Sequence, residues 1–320
     1  MLTDKFKRKI DYLRVSVTDR CDLRCTYCMA EDVTFLPRQE VLSIEEIIKL
    51  IDIFNELGVR KFRLTGGEPL VRKNIITIIE YLFELKKQNK ITEHTLTTNG
   101  TNLSKYAKIL KDNGVNRINV SLDSLDSDKY KEVTKHGDLN KVLNGIYTAK
   151  SEGIKVKINT VLTQNFNEEE VFDIINWCQD NNFDISLIEV MPIGSIGEKR
   201  FNQYLSMKKF EEKLITKLKL TSSSFRTNGP SRYFGDNKSN TKIGIISAIS
   251  HNFCDTCNRI RLTCTGKLFM CLGQNDYVDL KYALRNLSKI DIIKQIEYAM
   301  SIKPKKHNFE ILENNFDGYI

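Results

Sequence analysis

Stretches that alternate apolar and polar residues recur along the first two thirds of the chain, and each is followed by a stretch with helical spacing. Residues 9–18 form the first such strand pattern, and a helix begins after Ser43, with Glu46 at the capping-box position, and runs to Gly58. The same alternation predicts strands over residues 61–65, 94–99, 117–123, 155–161 and 185–192, and helices over residues 74–89, 103–112, 140–151, 168–180 and 206–217.

Strands that alternate with helices lie parallel and are joined by right-handed crossovers. Six units are too few to close an eight-unit barrel. We therefore predict an α/β fold, an open three-quarter (βα)6 TIM-like barrel over residues 1–218. The pattern changes after about residue 218, where turn residues precede a more β-rich stretch with cysteines and a short helix near residues 290–300. A smaller C-terminal domain is predicted over residues 219–320.

Composition narrows the class of protein. The 320 residues contain no apolar run of the length that spans a membrane, and no apolar signal-peptide core follows the charged start, so we expect a cytoplasmic protein with no membrane partner. The net charge is +8, but no dense basic stripe with interleaved aromatic residues is present. We expect no nucleic-acid partner, and the charge is compatible with a polyanionic small molecule.

Three of the eight cysteines, Cys21, Cys25 and Cys28, follow the first predicted strand in the spacing C-x3-C-x2-C. Three thiolates on a short loop can hold three corners of a cubane iron–sulfur cluster and leave the fourth iron open to a small molecule. The alternatives are a structural zinc site, which needs a fourth ligand, and three buried thiols. We interpret the loop as a cluster site, and we interpret Cys178, on a predicted helix, as a buried small hydrophobe.

A second set of cysteines has the spacing C-x2-C-x13-C and consists of Cys254, Cys257 and Cys271. Three thiolates again suit a cubane with one open iron, which could bind a substrate. A zinc site completed by His251 or Cys264 is the alternative. Cys264 is expected to lie close to this second set, as a spare thiol that could compete for iron.

The first cysteine motif, with an aromatic residue inside its second gap, resembles that of the radical S-adenosylmethionine (SAM) superfamily. The whole pattern resembles the GTP 3′,8-cyclase family, which opens molybdenum-cofactor biosynthesis. The resemblance covers roughly residues 10–275, and the stretches that carry it are residues 13–21, 62–70, 97–100, 119–126, 156–161, 188–192 and 253–262, with Cys271.

This resemblance implies a lyase that converts GTP to (8S)-3′,8-cyclo-7,8-dihydroguanosine 5′-triphosphate with two [4Fe–4S] clusters and SAM. It implies a partial barrel of the radical SAM type with a C-terminal cluster-binding domain. The implied catalytic residues are Cys21, Cys25, Cys28, Arg259 and Arg261, and the six metal ligands are Cys21, Cys25, Cys28, Cys254, Cys257 and Cys271. SAM would contact Tyr27, Gly67, Ser121 and Met191, and GTP would contact Arg14, Arg63, Thr97, Lys157, Arg259, Ile260 and Arg261.

The resemblance also implies partners. These are a reductant such as flavodoxin or ferredoxin, a downstream cyclic pyranopterin monophosphate synthase, and a second copy of the chain in a homodimer. The family commonly ends in a Gly-Gly pair, whereas only Gly318 is near the end of this chain, which bears on efficiency. One alternative function is a twin-cluster radical SAM enzyme that modifies a peptide. Another is an electron-transfer or zinc-stabilised binding module, which would not cleave SAM.

Overall fold

The computed structural model describes residues 1–191, 202–227, 229–235, 239–307 and 309. Its strands are β1 (Tyr12–Ser16), β2 (Lys61–Thr65), β3 (Glu93–Thr98), β4 (Arg117–Ser121), β5 (Lys155–Leu162), β6 (Asp184–Glu189), β7 (Thr221–Ser222), β8 (Arg232–Gly235), β9 (Ile243–Ile246), β10 (Arg259–Leu262), β11 (Lys267–Phe269) and β12 (Tyr277–Asp279). Its helices are α1 (Ile44–Glu56), α2 (Ile75–Lys87), α3 (Leu103–Asp112), α4 (Ser127–Thr134), α5 (Leu139–Ser151), α6 (Val171–Asp180), α7 (Met207–Leu218), α8 (Leu280–Asn286) and α9 (Lys289–Ile302).

The predicted strand and helix pattern is present, including the predicted start of α1. Ser43 Oγ accepts the Glu46 N–H at 3.1 Å, and Glu46 Oε2 accepts the Ser43 N–H at 2.8 Å, which completes the capping box. Two helices, α4 and α8, were not predicted. They are short, with eight and seven residues, and each buries only three side chains, so their apolar spacing is too brief to stand out.

The twelve strands form one sheet in the order β12-β11-β10-β1-β2-β3-β4-β5-β6-β9-β8-β7. Its central strands, from β10 to β9, all run parallel. The sheet has two edges and is not closed, which confirms the predicted open α/β partial barrel. The C-terminal third adds a parallel strand to each side of the six predicted ones, so both parts share the sheet. The domain boundary near residue 218 stays a prediction.

The two faces of the parallel strands differ in polarity because successive side chains of a strand point to opposite faces. On β1, Leu13 and Val15 are fully buried and belong to the same hydrophobic cluster as Ile47 and Leu50 of α1. Each such side chain contributes about 1.5–3 kcal/mol on burial. Arg14 lies on the opposite face, and its neighbours across the sheet form the polar interior described below.

In the part of the chain that the structure describes, no helix is both long and apolar enough to cross a membrane.

Candidate functional site

The first cysteine loop begins where β1 ends, at the carboxyl edge of the parallel sheet. Two backbone hydrogen bonds tie it to the end of α4: Arg24 N–H donates to Thr134 O at 3.0 Å, and Thr26 N–H donates to Val133 O at 2.9 Å. The Cys28 N–H donates to Cys25 O at 2.8 Å and closes a turn inside the loop. An unpredicted helix therefore positions the predicted motif.

The glycine pair after β2 packs directly against this loop. Gly67 N–H donates to Thr18 O and Glu68 N–H donates to Arg20 O, each at 2.8 Å. A Cβ built on Gly67 would lie 2.2 Å from the Arg20 carbonyl oxygen. The family resemblance implies that SAM contacts Gly67. The structure adds that Gly67 needs no side chain because the protein's own backbone fills that space.

Carboxyl groups lie near Cys21 and Cys25 of the first cysteine set. Burial raises the pKa of Cys21 to about 12, with smaller contributions from Asp22 and Glu68, and burial also raises the pKa of Cys25 well above its usual value. Glu68 is itself buried, which raises its pKa to about 7 against the hydrogen bonds that it accepts from Asn99, Leu70 and Thr98. Cys21 and Cys25 are thus half-buried beside carboxyl groups, whereas Cys28 is exposed, and the carboxyl groups suit a cationic ligand.

Tyr27, inside the motif, is held in place by Asp123, which was not among the predicted site residues. Its hydroxyl donates to Asp123 Oδ2 at 2.6 Å, and Asp123 Oδ1 accepts the Val161 N–H at 2.7 Å. Burial raises the pKa of Asp123 to about 6. Asp123 follows Ser121 at the end of β4, and a carboxylate just past a strand end could have flagged it. Met191 follows the end of β6 at the same edge of the sheet.

Three arginines lie side by side in the middle of the polar face. Arg14 on β1 is in register with Arg63 on β2 and with Arg261 on β10. Burial, reinforced by the other cations, lowers the pKa of Arg14 to about 9 and that of Arg261 to about 10. Guanidinium groups stay protonated at neutral pH, so the row consists of buried cations that also repel one another, a setting that a polyanion would stabilise. The Nε of Arg63 is buried with no hydrogen-bond partner.

Residues 259–261 divide between the two faces of β10. Arg259 pairs in register with Tyr12, and its guanidinium lies 5.0 Å from the centroid of the Phe253 ring. Ile260 pairs with Leu13 and is fully buried in the hydrophobic cluster on the opposite face. The Ile260 side chain therefore does not join the two arginines in the interior, and a contact of its backbone with GTP stays a prediction.

On the far side of the interior, Thr97 is in register with Asn119, and Asn119 with Lys157. Thr97 Oγ1 and Asn119 Oδ1 are buried without a hydrogen-bond partner, as expected of atoms that await a ligand. Lys157 Nζ donates to the Tyr233 hydroxyl at 2.6 Å, and burial lowers the pKa of this lysine. Tyr233, on β8, was not selected from the sequence because it lies 76 residues away in the chain.

The second cysteine set lies at the other end of the same interior. Cys257 precedes β10, and Cys271 follows β11, which runs antiparallel to β10, so both lie at the amino end of β10. The first set follows the carboxyl end of β1, which is parallel to β10. At about 3.3 Å per residue, the five residues of β1 separate the two ends by roughly 16 Å. The arginine row lies between them.

Cations surround the second set. Lys303 Nζ lies 3.9 Å from Cys257 Sγ and donates to Arg259 O at 3.1 Å, while Arg8 donates to Cys254 O at 2.7 Å. Burial alone would raise the pKa of Cys257, but Lys303 and then Arg259 outweigh it and lower that pKa to about 7. Neither Lys303 nor Arg8 could be predicted from spacing, because each lies more than forty positions from the cysteine it supports.

The two remaining cysteines, Cys178 and Cys264, are buried. Cys178 on α6 is fully buried, which confirms its interpretation as a small hydrophobe. Cys264 follows the carboxyl end of β10, and its carbonyl accepts the Leu42 N–H at 2.7 Å. Burial, with Asp19 adding to it, raises the pKa of Cys264 to about 11. The expectation that Cys264 lies close to the second set is wrong, since the length of β10 separates it from Cys257.

The donor chemistry of both sets fits a cluster with three protein ligands. All six thiols are free. Among the described residues, no three His, Cys, Asp or Glu side chains converge on one metal ion. A cubane places each thiolate on a different iron, so its ligands stand further apart than those of a single ion. The chain end without Gly-Gly lies outside the described residues.

Two family models match the chain. One, described as the Radical SAM superfamily, covers residues 15–178, and the other, described as Molybdenum Cofactor Synthesis C, covers residues 183–309. A curated GTP 3′,8-cyclase of Sinorhizobium medicae is 50% identical over 311 residues, which are 97% of this chain and 89% of the relative. The chain belongs to the GTP 3′,8-cyclase family.

A second member of this family, the GTP 3′,8-cyclase of Brucella ovis, is 49% identical over 97% of the chain and 90% of its own length. The expected cofactors, [4Fe–4S] clusters and SAM, are those of the superfamily.

Solved structures agree with the fold. Streptococcus suis SuiB bound to S-adenosylmethionine superposes with a TM-score of 0.62 at 16% identity, over 85% of this chain and 64% of that one, so the chain spans less than two thirds of SuiB. A structure of anSMEcpe with bound AdoMet superposes with a TM-score of 0.60 at 18% identity, over 88% and 79%. At these identities the likeness concerns the fold alone.

Proposed function

We propose that the chain is a GTP 3′,8-cyclase that converts GTP to (8S)-3′,8-cyclo-7,8-dihydroguanosine 5′-triphosphate, the first step of molybdenum-cofactor biosynthesis. One observation carries the proposal: the row of Arg261, Arg14 and Arg63 lies in the polar interior between two cysteine sets at its opposite ends. Such an arrangement supports a polyanion site between two cluster sites.

At the acidic end, Cys21, Cys25 and Cys28 would hold the first cluster. With SAM bound there, this cluster would supply the radical chemistry, a 5′-deoxyadenosyl radical to accept the hydrogen of the ribose C3′ of GTP. Tyr27, fixed by its 2.6 Å hydrogen bond to Asp123, would pack beside the cofactor's adenine. Gly67, Ser121 and Met191 would complete the SAM site from the carboxyl ends of β2, β4 and β6, which are alternate strands of the sheet.

In the middle and at the basic end, the protein would fix the substrate. Arg14, Arg63, Lys157, Arg259 and Arg261 would bind the triphosphate, because charge-assisted hydrogen bonds suit its oxygens. Thr97 would add a hydroxyl. Ile260 can contribute only its backbone.

The guanine would face the second cluster, held by Cys254, Cys257 and Cys271. Fixing both ends of GTP brings C8 to C3′ and excludes other targets of the radical. In sum, the C3′–H bond breaks, the C3′–C8 bond forms, and N7 gains a proton as an external reductant supplies one electron. The product is thus an isomer of GTP.

The chemistry also supports the proposed partners. One electron starts the cleavage of SAM and a second completes the product, so a one-electron donor such as flavodoxin or ferredoxin would serve. The product would pass to a cyclic pyranopterin monophosphate synthase. Oxygen-sensitive clusters and free thiols suit the reducing cytoplasm. We also propose that the chain forms a homodimer, and this proposal rests on the family resemblance alone.

Anaerobic incubation of the reconstituted protein with SAM, GTP and dithionite tests the proposal. Mass spectrometry should detect 5′-deoxyadenosine together with an isomer of GTP. Arg259→Ala should retain some cleavage of SAM and lose the cyclised product, whereas the exposed Arg226→Ala should match the parent. Cleavage of SAM without any binding or turnover of GTP would favour the peptide-modifying alternative and overturn the proposal.

A further inference from the structure

Lys303 is a buried lysine in a part of the chain to which the proposed reaction assigns no role. It follows the end of α9 and is 2% exposed. Its ammonium donates to the carbonyls of Met270 and Arg259 and lies 3.9 Å from Cys257 Sγ. No carboxylate within the described ranges forms an ion pair with it.

A buried ammonium is costly unless an opposite charge compensates it. Two carbonyl oxygens supply dipoles but no net charge. The remaining group in contact is the sulfur of Cys257, which becomes negative when it is a thiolate ligand. The position of Lys303 is therefore explained if Cys257 carries negative charge in the working protein.

The segment after α9 is fastened to the second cysteine set at further points. We call residues 303–307 and 309 the C-terminal strap. The Arg8 guanidinium donates to Pro304 O at 2.6 Å and Lys305 O at 2.8 Å, as well as to Cys254 O at 2.7 Å. Near Cys271, a Cβ on Gly273 would lie 2.8 Å from the Phe309 ring. The strap thus packs against both cysteine segments.

We propose that Lys303 is a positioning residue of the second cluster, whose fixed positive charge beside Cys257 favours the reduced, more negative state of that cluster. The inference rests on the proposed assignment of this cluster to Cys254, Cys257 and Cys271. A positive charge close to a ligand sulfur stabilises added negative charge more strongly in a buried site than in water. Lys303 therefore raises the reduction potential of the second cluster.

The test requires a protein that carries the second cluster alone. A parent variant with Cys21→Ala, Cys25→Ala and Cys28→Ala provides this background. Lys303→Gln, made in that parent, keeps two N–H donors and removes the charge, Lys303→Arg keeps the charge, and Lys306→Met changes an exposed lysine of the strap. Each variant is reconstituted anaerobically, its iron and sulfide are measured, and its cluster is titrated with dithionite by electron paramagnetic resonance.

The midpoint potential should fall in Lys303→Gln, stay near the parent's in Lys303→Arg, and not change in Lys306→Met. An unchanged potential in Lys303→Gln at the parent's iron content overturns the inference. If the parent itself assembles no cluster, the ligand assignment fails and the role of Lys303 fails with it.

A third outcome is that Lys303→Gln assembles no cluster. Thermal unfolding of the cluster-free proteins then decides. Equal melting temperatures would support a role at the cluster, whereas a large drop for the variant would make Lys303 a purely structural residue and overturn the inference.

Discussion

The first cysteine set lies on one eight-residue loop among acidic side chains, whereas the second is assembled from two segments among cations. Asp22 and Glu68 add to the raised pKa of Cys21, and Asp123 adds to that of Cys25. Lys303 and Arg259 lower the pKa of Cys257. Cys21 and Cys25 at one end of the interior thus lie near carboxyl groups, whereas Cys257 at the other end lies near cations.

This difference matches the charges of the two small molecules in the proposed reaction. SAM carries a positive sulfonium group, which acidic surroundings favour, and GTP carries a negative triphosphate, which the arginine row and the basic end favour. The fields also act on the clusters. Negative surroundings disfavour an added electron and make a cluster more strongly reducing, as the cleavage of SAM requires, whereas positive surroundings do the reverse.

The largest effects are expected when one cysteine ligand is removed from either set, because each change should abolish one cluster and leave the other. Cys25→Ala should lose the first cluster, leave about half of the roughly eight irons expected of two cubanes, and abolish formation of 5′-deoxyadenosine. Cys257→Ala should lose the second cluster, keep some cleavage of SAM, and form no cyclised GTP. Iron analysis and anaerobic product assays measure both effects.

Cys178→Ala is the matched control, because its thiol is fully buried on α6 and away from both sets. It should keep the full iron content and differ only in stability. Loss of all iron in either ligand variant would contradict the independence of the two sites.

Truncating a side chain of the arginine row should weaken the binding of GTP and leave the binding of SAM nearly unchanged. Arg14→Ala removes the cation between Arg63 and Arg261, and a charge-assisted hydrogen bond is worth about 1.5–3 kcal/mol, so GTP affinity should fall roughly 10- to 150-fold. Binding of SAM should change little. Anaerobic calorimetry with each ligand measures this, with Arg226→Ala as the exposed control. An equal loss of SAM affinity would show that the row does not belong to the substrate alone.

The sequence revealed the features that depend on short spacings. The C-x3-C-x2-C loop, the capping box at Ser43 and Glu46, and the alternation of Arg14 with its apolar neighbours are all local, so their consequences could be predicted. The resemblance to a family then supplied roles that spacing alone could not.

The missed features depend on contacts between distant segments. Lys303 and Arg8 reach the second cysteine set from opposite ends of the chain, and Tyr233 reaches Lys157 from β8. The misplacement of Cys264 has the same origin, because nearness in sequence to Cys257 hid the strand that separates them. Only the register of the folded sheet carries this information.

Gly67→Ala should lower the stability of the first cysteine loop and leave the second cysteine set unchanged. Its Cβ would lie 2.2 Å from the Arg20 carbonyl, so the backbone must shift, at a cost of about 1–3 kcal/mol. Occupancy of the first cluster should fall while that of the second is kept. The control is Gly235→Ala, where an added Cβ meets nothing within 4 Å. Chemical unfolding and the iron content of each variant measure the effect, and equal behaviour of the two variants would argue against the close packing.

Glu68→Gln should produce the smallest effect, a change in how stability depends on pH. Burial raises the pKa of Glu68 to about 7 from its ordinary 4.5, so between these values the folded state binds more protons than the unfolded state. The free energy of unfolding of the parent should therefore decrease as the pH rises through this window, by at most about 1.4 kcal/mol per pH unit from this group. Gln cannot ionise, so the variant should lose that slope. The variant also loses one acceptor for Leu70, Thr98 or Asn99, and so should be less stable at pH 5.

Anaerobic guanidinium unfolding between pH 5 and pH 8 measures the pH dependence and the stability at pH 5, with the exposed Glu80→Gln as control. Parallel curves for parent and Glu68→Gln would mean that Glu68 titrates as an ordinary carboxyl and that burial does not raise its pKa in the folded protein.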